Sequence, residues 1–150
     1  MKSHQLFIPL VAVSILSACT TMRPSMSYVA PGLNAQDAEI IASDSVAYLA
    51  RTLPPAKTTI IIDPKRSDIL TKTMQEKLAS RGFGVVELKN VQSIEEVAQG
   101  TLLRYISTPI EYGYALRLQY NNIEATRYYP RTTAGDITPV APFMTRELNQ

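Results

Sequence analysis

Few side chains in this 150-residue chain could act as nucleophiles or metal ligands. It contains one histidine, one cysteine and no tryptophan. His4 lies in an apolar leader that we expect to be removed, and Cys19 directly follows that leader. A mature chain without histidine or a free thiol lacks the Ser/His and Cys/His nucleophile pairs, the usual zinc ligand sets and any disulfide framework.

Three acidic residues are the remaining candidates for an acid pair or a metal site. Asp63, Asp68 and Glu76 are expected at a strand end, a helix start and a helix face, where carboxylates are commonly solvated. Helix capping explains Asp68, and surface exposure explains Glu76. The chain also has no Gly-x-Gly-x-x-Gly or P-loop pattern for a nucleotide. The sequence therefore predicts a protein that is not an enzyme and has no cofactor.

Cys19 is placed to be a lipid attachment site. Lys2 is followed by an apolar run, Leu6 to Leu16, which is shorter than the ~20 residues of a membrane-spanning helix and suits a secretory signal. Leu16-Ser17-Ala18-Cys19 resembles a bacterial lipobox, whose cysteine is acylated after cleavage. A plain signal peptide, with Cys19 as a buried free cysteine, is the alternative. Residues 1–18 are therefore predicted to be a cleaved lipoprotein signal peptide.

The residue after Cys19 indicates to which membrane the lipidated protein would be sorted. It is Thr20 rather than an aspartate, which in bacterial lipoproteins resembles sorting to the outer membrane. Several acyl chains on one cysteine anchor a protein stably, since each buried methylene contributes ~0.8 kcal/mol. We expect the mature chain to be lipid-anchored on the periplasmic face of the outer membrane.

The composition indicates one globular domain after the leader. Hydrophobic residues make up 45% of the chain and charged residues 19%, and the formal net charge is +2, of which Lys2 carries one unit. So small a charge gives no support for nucleic acid as a direct partner. Thr20 to Leu33 mixes Ser, Thr, Pro and Gly without periodicity. Residues 19–33 are therefore predicted to be a lipidated tether that precedes a globular domain at residues 34–130.

The domain is predicted to begin with an amphipathic helix from about residue 35 to about residue 52. Asn34 is its expected N-cap, and Pro54-Pro55 ends it because proline cannot donate a backbone hydrogen bond. A strand from Lys57 to Asp63 follows. Its isoleucines occupy both faces, which is typical of an internal strand covered on both sides.

A second helix is expected from Ser67, its N-cap candidate, to Gly82, which can take the left-handed conformation that closes a helix. The next strand, Phe83 to Leu88, would lie parallel to the first if the two are neighbours. Ser93 and Glu96 have the spacing of a capping box and predict one further short helix.

The last third of the domain has the alternation of antiparallel strands. Thr101 to Ser107 is one predicted strand, and Tyr112 to Tyr129 is predicted to be a hairpin that turns at Asn121-Asn122, since asparagine tolerates positive φ. This turn pairs Tyr120 with Ile123 and gives the hairpin one apolar and one polar side. The order of elements predicts an α+β fold, a two-layer sandwich with two main helices packed on a small mixed β-sheet.

Tyrosines and arginines concentrate in this last part of the chain, and two functions would suit them. They could form a platform on which nucleotide bases stack, or they could be cross-strand pairs with some side chains left for a protein interface. The small net charge favours the second. The C-terminal tail, residues 131–150, is expected to be extended or loosely docked, and it could add to a neighbouring subunit or be a disordered end. The candidate partner-interface residues are Tyr128, Tyr129, Arg131, Phe143 and Arg146.

The chain resembles the conjugal transfer family TrbH in its lipobox and in three later segments. These are Leu53 to Thr58, Leu78 to Val85, and Leu116 to Tyr129 leading into Pro139-Val140-Ala141-Pro142 and Thr145-Arg146. The resemblance implies an outer-membrane lipoprotein subunit of a conjugative type IV secretion (mating-pair formation) apparatus, with other channel subunits as partners. It also implies kinship with small ring-building domains, which would allow a homo-oligomer within a ring. It transfers no catalytic residues. From the residues alone, a free-standing envelope lipoprotein that binds peptidoglycan or a small ligand is the alternative.

Overall fold

The computed structural model of the protein describes residues 27–64, 67–90 and 94–148. Within these ranges it has three α-helices and one seven-stranded mixed sheet, which confirms the predicted α+β class. The predicted signal peptide, Cys19 and Ser93 lie outside the described residues. The elements in chain order are β1 (Tyr28–Val29), α1 (Ala35–Thr52), β2 (Thr59–Ile62), α2 (Ile69–Ser80), β3 (Gly84–Glu87), α3 (Ile94–Gln99), β4 (Thr101–Ile110), β5 (Gly113–Tyr120), β6 (Ile123–Pro130) and β7 (Val140–Glu147).

The sheet combines a parallel half with an antiparallel half. Its strand order is β3-β2-β4-β5-β6-β7, and β1 pairs with β4 off this path. β2 runs parallel to β3 and to β4, so the parallel pairing predicted for β2 and β3 is confirmed. Each pair from β4 to β7 is antiparallel. β4 therefore joins the two halves.

Both ends of α1 follow the local signals in the sequence. The Asn34 side chain accepts a hydrogen bond of 2.8 Å from the backbone N–H of Asp37, so the predicted N-cap is confirmed. The helix ends at Thr52, and Leu53 before Pro54 is extended. One side of α1 is buried against the sheet and α2, with the apolar residues Ala38, Ile41, Ala42, Val46, Tyr48 and Leu49.

The start of α2 differs from the prediction by one residue. Asp68, not Ser67, is the N-cap, and its two carboxylate oxygens accept from the backbone N–H and the hydroxyl of Thr71 over 2.8 and 2.9 Å. A carboxylate can accept both bonds and also carries the charge that the helix dipole favours. The predicted close at Gly82 is confirmed by its φ of 96°. Phe83 then donates its backbone N–H to the Leu78 carbonyl, as in a Schellman motif.

The hairpin has the predicted register. Tyr120 pairs with Ile123, Leu118 with Ala125 and Leu116 with Arg127. Asn121 and Asn122 have φ values of 42° and 63°, the positive values that a two-residue turn of this kind requires. β2 likewise lies inside the sheet, with Ile60, Ile61 and Ile62 all buried. Gly100, after α3, lies against Ile61 on the side of the sheet away from α1 and α2.

The structure extends the sheet into both segments flanking the predicted domain. Part of the predicted tether is strand, because Tyr28 and Val29 pair with Ile106 and Ser107 of β4 beyond the end of β2. Eight residues of the C-terminal tail also join the sheet, because β7 pairs with β6. β1 pairs with the part of the β4 edge that lies beyond β2, and β7 pairs with the edge of β6 that faces away from β5. Both segments therefore provide hydrogen-bond partners for backbone groups of these edges. The described part of the chain has no helix long and apolar enough to cross a bilayer.

Candidate interaction surface

The sheet has two faces that differ in how well they are covered. Side chains alternate along a strand, and paired residues of neighbouring strands point to the same side. Leu103, Leu116 and Ala125 are fully buried in the core with α1 and α2, and we call their side the helix face. We call the other side of β1, β4, β5, β6 and β7 the open face. By the register, its residues are Tyr28, Arg104, Ile106, Thr108, Ile110, Ala115, Arg117, Gln119, Glu124, Thr126, Tyr128, Val140, Met144 and Arg146.

One end of the open face is a polar row that crosses four strands. Arg104, Gln119, Glu124 and Arg146 are directly paired, one from each of β4 to β7. Arg104 donates to the Gln119 side-chain oxygen over 3.1 Å, and Gln119 donates to Glu124 over 2.7 Å. Arg146 donates to the other Glu124 oxygen over 2.8 Å. These cross-strand bonds fix the register of β7 on β6.

Glu124 is the buried centre of this row. Its exposure is 4%, although it stands on the face that the sequence predicts to be polar and solvated. Arg117 lies 3.7 Å from its carboxylate, in addition to the bonds from Gln119 and Arg146. Burial raises the pKa of Glu124, but the hydrogen bond from Gln119 and the charges of Arg117 and Arg146 outweigh burial, so the pKa lies below its usual value of 4.5. The carboxylate is therefore ionised at neutral pH and shared by two guanidinium groups.

The rest of the open face is largely apolar and accessible. Tyr28, Val140 and Met144 are 38%, 40% and 70% exposed, and Ile110 is 44% exposed. Four of the six exposed large hydrophobic residues among those described thus lie on one face, together with the half-buried Ile106 and Tyr128. Single exposed apolar residues are common, but neighbouring ones on one face are typical of a protein or membrane interaction site.

The five predicted interface residues do not lie on one surface of the structure. Tyr128 and Arg146 lie on the open face. Tyr129 lies in the core with no exposed surface, so its expected place at an interface is not supported by its position. Phe143 points to the helix face and stacks on Tyr48 of α1, with ring centroids 4.3 Å apart. Arg131 donates to the buried carboxylate of Asp37 over 2.6 and 3.3 Å.

These three residues instead join the C-terminal part of the sheet to α1. The Tyr129 hydroxyl donates to Asp44 over 2.7 Å, and Arg127 donates to the other oxygen of Asp44 over 2.9 Å. Burial and the bond to Asp44 raise the pKa of Tyr129 above the ordinary range of tyrosine. The hydrogen bond to Asp37 similarly raises the pKa of Arg131. The arginines and tyrosines of this segment therefore serve mainly intramolecular contacts on the helix face.

The tyrosines do not form a stacking platform in the described part of the chain. Tyr105, Tyr114, Tyr120 and Tyr129 are buried on the helix face, where Tyr120 bonds to the Tyr48 hydroxyl over 2.8 Å. Burial raises the pKa of Tyr105 to about 12. Tyr112 is 81% exposed at the turn between β4 and β5, and Tyr128 is half-buried on the open face. The structure therefore favours the interpretation of the tyrosines as cross-strand and core residues.

Groups that could support catalysis are also dispersed. Among the described residues, no three His, Cys, Asp or Glu side chains gather where they could hold a metal ion. Asp68 caps α2 in place of the predicted Ser67, so its carboxylate serves the helix end. An open cleft of about 480 Å³ lies beside the β4–β5 turn and includes Glu111, Tyr112, Tyr114, Arg131 and Thr132 in its lining. Asp37 holds Arg131 there, and Glu111 is the carboxylate among the residues that line the cleft.

The sequence does not predict the open face, because this face depends on β7. The alternation Val140, Pro142, Met144, Arg146 is visible in the sequence, but a proline and mixed polarity conceal it. A structural signal was available in the hairpin, whose polar side includes Glu124 between Arg117 and Gln119 in the predicted register. An acidic residue beside an arginine and a glutamine on one face predicts hydrogen bonds or an ion pair between their side chains. A further strand beside the hairpin would bury the acidic residue.

These features define the chain as a small α+β domain. The family model of conjugal transfer protein TrbH matches residues 20–147, and the chain therefore belongs to this family. It is a conjugal transfer protein of a mating-pair system, a component class associated with secretion rather than with a known enzyme activity. Membership indicates partnership with other components of the transfer system and points to the cell envelope. No curated protein matches the chain.

Proposed function

We propose that this chain is an outer-membrane-anchored structural lipoprotein of a conjugative type IV secretion apparatus and acts by packing against another protein subunit. The open face is the observation that carries this proposal. Its exposed Tyr28 and Met144 lie in the row of side chains next to the hydrogen-bonded polar row, and Val140 lies one row further away. Apolar surface beside a polar rim is the combination found at protein interfaces.

Lipidation at Cys19 would hold this surface close to the membrane. Ser27 is already docked on the sheet, because its backbone N–H donates to Asp63 over 2.7 Å and its hydroxyl accepts from the Tyr105 backbone over 3.1 Å. A fully extended chain from Cys19 to Ser27 reaches at most about 29 Å, at ~3.6 Å per residue. The domain would therefore work within one domain diameter of the bilayer, where a partner subunit must also be.

The anchor is tested with two variants in a strain whose own copy of the gene is deleted. Cys19→Ser should incorporate no labelled palmitate, leave the membrane fraction and fail to restore plasmid transfer. Thr20→Asp should keep the palmitate label but move to the inner-membrane fraction. Full restoration of transfer by Cys19→Ser would overturn the anchoring role.

The packing role is tested with a charge placed in the open face. Met144→Glu should lower transfer roughly tenfold or more, because the few residues that dominate an interface each cost about 2 kcal/mol or more when they are altered. Ile69→Glu is the matched control, since Ile69 is 40% exposed but lies on α2. Both variants should have melting temperatures close to that of the wild type. Equal transfer by the two variants would contradict the assignment of the open face.

A free-standing envelope lipoprotein that binds peptidoglycan is the second candidate. The cleft beside the β4–β5 turn favours it, because Tyr112 and Glu111 could contact a sugar ring and its hydroxyl groups. Sedimentation of the protein with purified sacculi, abolished by Tyr112→Ala, would support this candidate. Sedimentation that does not exceed that of an unrelated control protein would remove it.

A further inference from the structure

The charges on the open face determine which protein surface fits it. Arg117 and Arg146 share the single carboxylate of Glu124, and their side chains are 50% and 69% exposed. Glu124 itself is buried beneath them. A partner that approaches this face therefore meets guanidinium groups and apolar side chains, while the compensating carboxylate lies out of its reach.

Arg117 stands among the groups that a partner would cover. In the register it is paired with Ile106 on one side and Thr126 on the other, and Thr126 is paired with Met144. A partner in contact with Ile106 and Met144 would remove water from the Arg117 guanidinium. Desolvation of an arginine without a new anionic partner is unfavourable, whereas a carboxylate on the partner would compensate for it.

A second copy of the chain does not meet this requirement on the same face. In a two-fold face-to-face dimer the same patch would form both sides of the interface. Arg117 and Arg146 of one copy would then meet the open face of the other, whose acidic residue, Glu124, is already enclosed by its own arginines. Like charges across an interface are destabilising.

The free edge of β7 is also poorly suited to adding a strand from another copy. Pro142 has no backbone N–H to donate, and Ala141 has a positive φ of 57° beside the irregularity between Thr126 and Tyr128. Proline and bulges are features that protect edge strands from further pairing.

We infer that the open face binds an acidic, partly apolar surface of a different protein subunit, with Arg117 and Arg146 receiving its carboxylates and Met144 and Val140 its apolar side chains. This inference rests on the proposed packing function and specifies the partner's chemistry. A homo-oligomer of this chain would have to use surfaces other than the open face.

Two synthetic peptides are the probes for binding to the purified full-length chain. Both alternate leucine with a charged residue, which is glutamate in one peptide and lysine in the other. The acidic peptide should bind at least about tenfold more tightly in 0.15 M salt, and this preference should shrink at 0.5 M salt because exposed charges are screened. Equal binding of the two peptides, or binding of neither, would contradict the inference.

Variants without the two arginine charges test whether Arg117 and Arg146 cause the preference for the acidic peptide. Arg117→Gln with Arg146→Gln should reduce the preference to less than about threefold, and Arg117→Lys with Arg146→Lys should retain most of it. Lys57→Gln with Lys72→Gln is the control, because it removes the same charge from exposed positions away from the open face. Melting curves of all three double variants establish that they are folded.

Plasmid transfer separates failure of this inference from failure of the proposed function. If Met144→Glu abolishes transfer and the double glutamine variant transfers normally, the face is used but its partner is not acidic. If neither variant affects transfer, the packing role of the open face is itself wrong. Loss of transfer in both, with rescue by the double lysine variant, is the expected result.

Discussion

The hydroxyl group of Tyr129 in β6 donates a 2.7 Å hydrogen bond to the carboxylate of Asp44 in α1, 85 residues earlier in the chain. The other oxygen of this carboxylate accepts from Arg127, whose guanidinium also lies 5.1 Å from the Phe143 ring centroid in β7. Asp44 thus holds β6 against the first helix directly, and β7 through the contact between Arg127 and Phe143. It does so from within a largely buried site, where polar groups must be paired.

Asp44→Ala should destabilise the domain by about 3 kcal/mol, because it leaves the Arg127 charge and the Tyr129 hydroxyl without their acceptor in a largely buried site. The free energy of unfolding, measured in urea, tests this value. Glu39→Ala is the control, because Glu39 is an exposed α1 residue paired with Lys77 and should change stability little. If the two variants lost equal free energy of unfolding, the burial of the Asp44 contacts would not be the reason for the loss in Asp44→Ala.

Glu124 should make stability depend on pH in the acid range. Its pKa is lower in the folded chain than the usual 4.5, so the unfolded state binds more protons as the pH falls through this range. The stabilisation is present above about pH 4.5 and is lost as the pH falls through the folded pKa. Glu124→Gln should therefore be less stable than the wild type at pH 7, and this difference should narrow towards pH 3. A difference that stays constant between pH 7 and pH 3 would contradict this role.

Gly113 should be the glycine that tolerates alanine least. A Cβ atom there would meet the backbone of Tyr129 and Pro130 in the neighbouring strand, and backbone cannot move aside without loss of the β5–β6 pairing. Gly113→Ala should destabilise the chain by about 3 kcal/mol, the upper part of the range for overpacking. At Gly100 the nearest atoms are side-chain atoms of Ile61, which can rotate, so Gly100→Ala should lose less. Thermal unfolding of both variants tests this order. A larger loss of stability for Gly100→Ala than for Gly113→Ala would contradict the prediction.

Replacement of Asn122 in the hairpin turn by glycine and by alanine should have different effects on stability. Its φ of 63° is in the left-handed region, which costs an ordinary L-residue roughly 1 kcal/mol or more. Asn122→Ala should therefore lower the free energy of unfolding by about 1 kcal/mol, whereas Asn122→Gly should leave it nearly unchanged. Equal effects of the two substitutions would mean that the turn adopts another conformation in solution.

Local chemistry in the sequence predicts much of this fold. Asn34, Pro54 and Gly82 mark helix boundaries because capping, the missing proline N–H and a positive φ act within a few residues. The hairpin register followed from Asn121-Asn122 for the same reason, since a two-residue turn sets every later pair. Capping also led to an error of one residue at Ser67, because two adjacent residues could both cap and the sequence does not rank them.

Family membership could also be inferred from short motifs, whereas the burial and contacts of the candidate interface residues could not. Tyr129 and Phe143 have the composition of interface residues, but the structure uses them to attach β6 and β7 to α1. Whether an aromatic residue of an edge strand points to the core or to solvent depends on strand register and on which segment pairs with the strand. The lipidation of Cys19 and the outer-membrane location stay predictions from the N-terminal sequence.

By itself, then, the sequence determined the helices, the strands β2 to β6, the central hairpin and the presence of a single histidine and a single cysteine, at positions 4 and 19. These follow from residue types and from contacts between residues close in the chain. Only the tertiary structure decided that β1 and β7 join the sheet, that Glu124 is buried between arginines and that Tyr28, Val140 and Met144 share one face. The physical reason is that an edge strand can pair with any extended segment, so such pairings are selected by the packing of the whole domain and not by local preference.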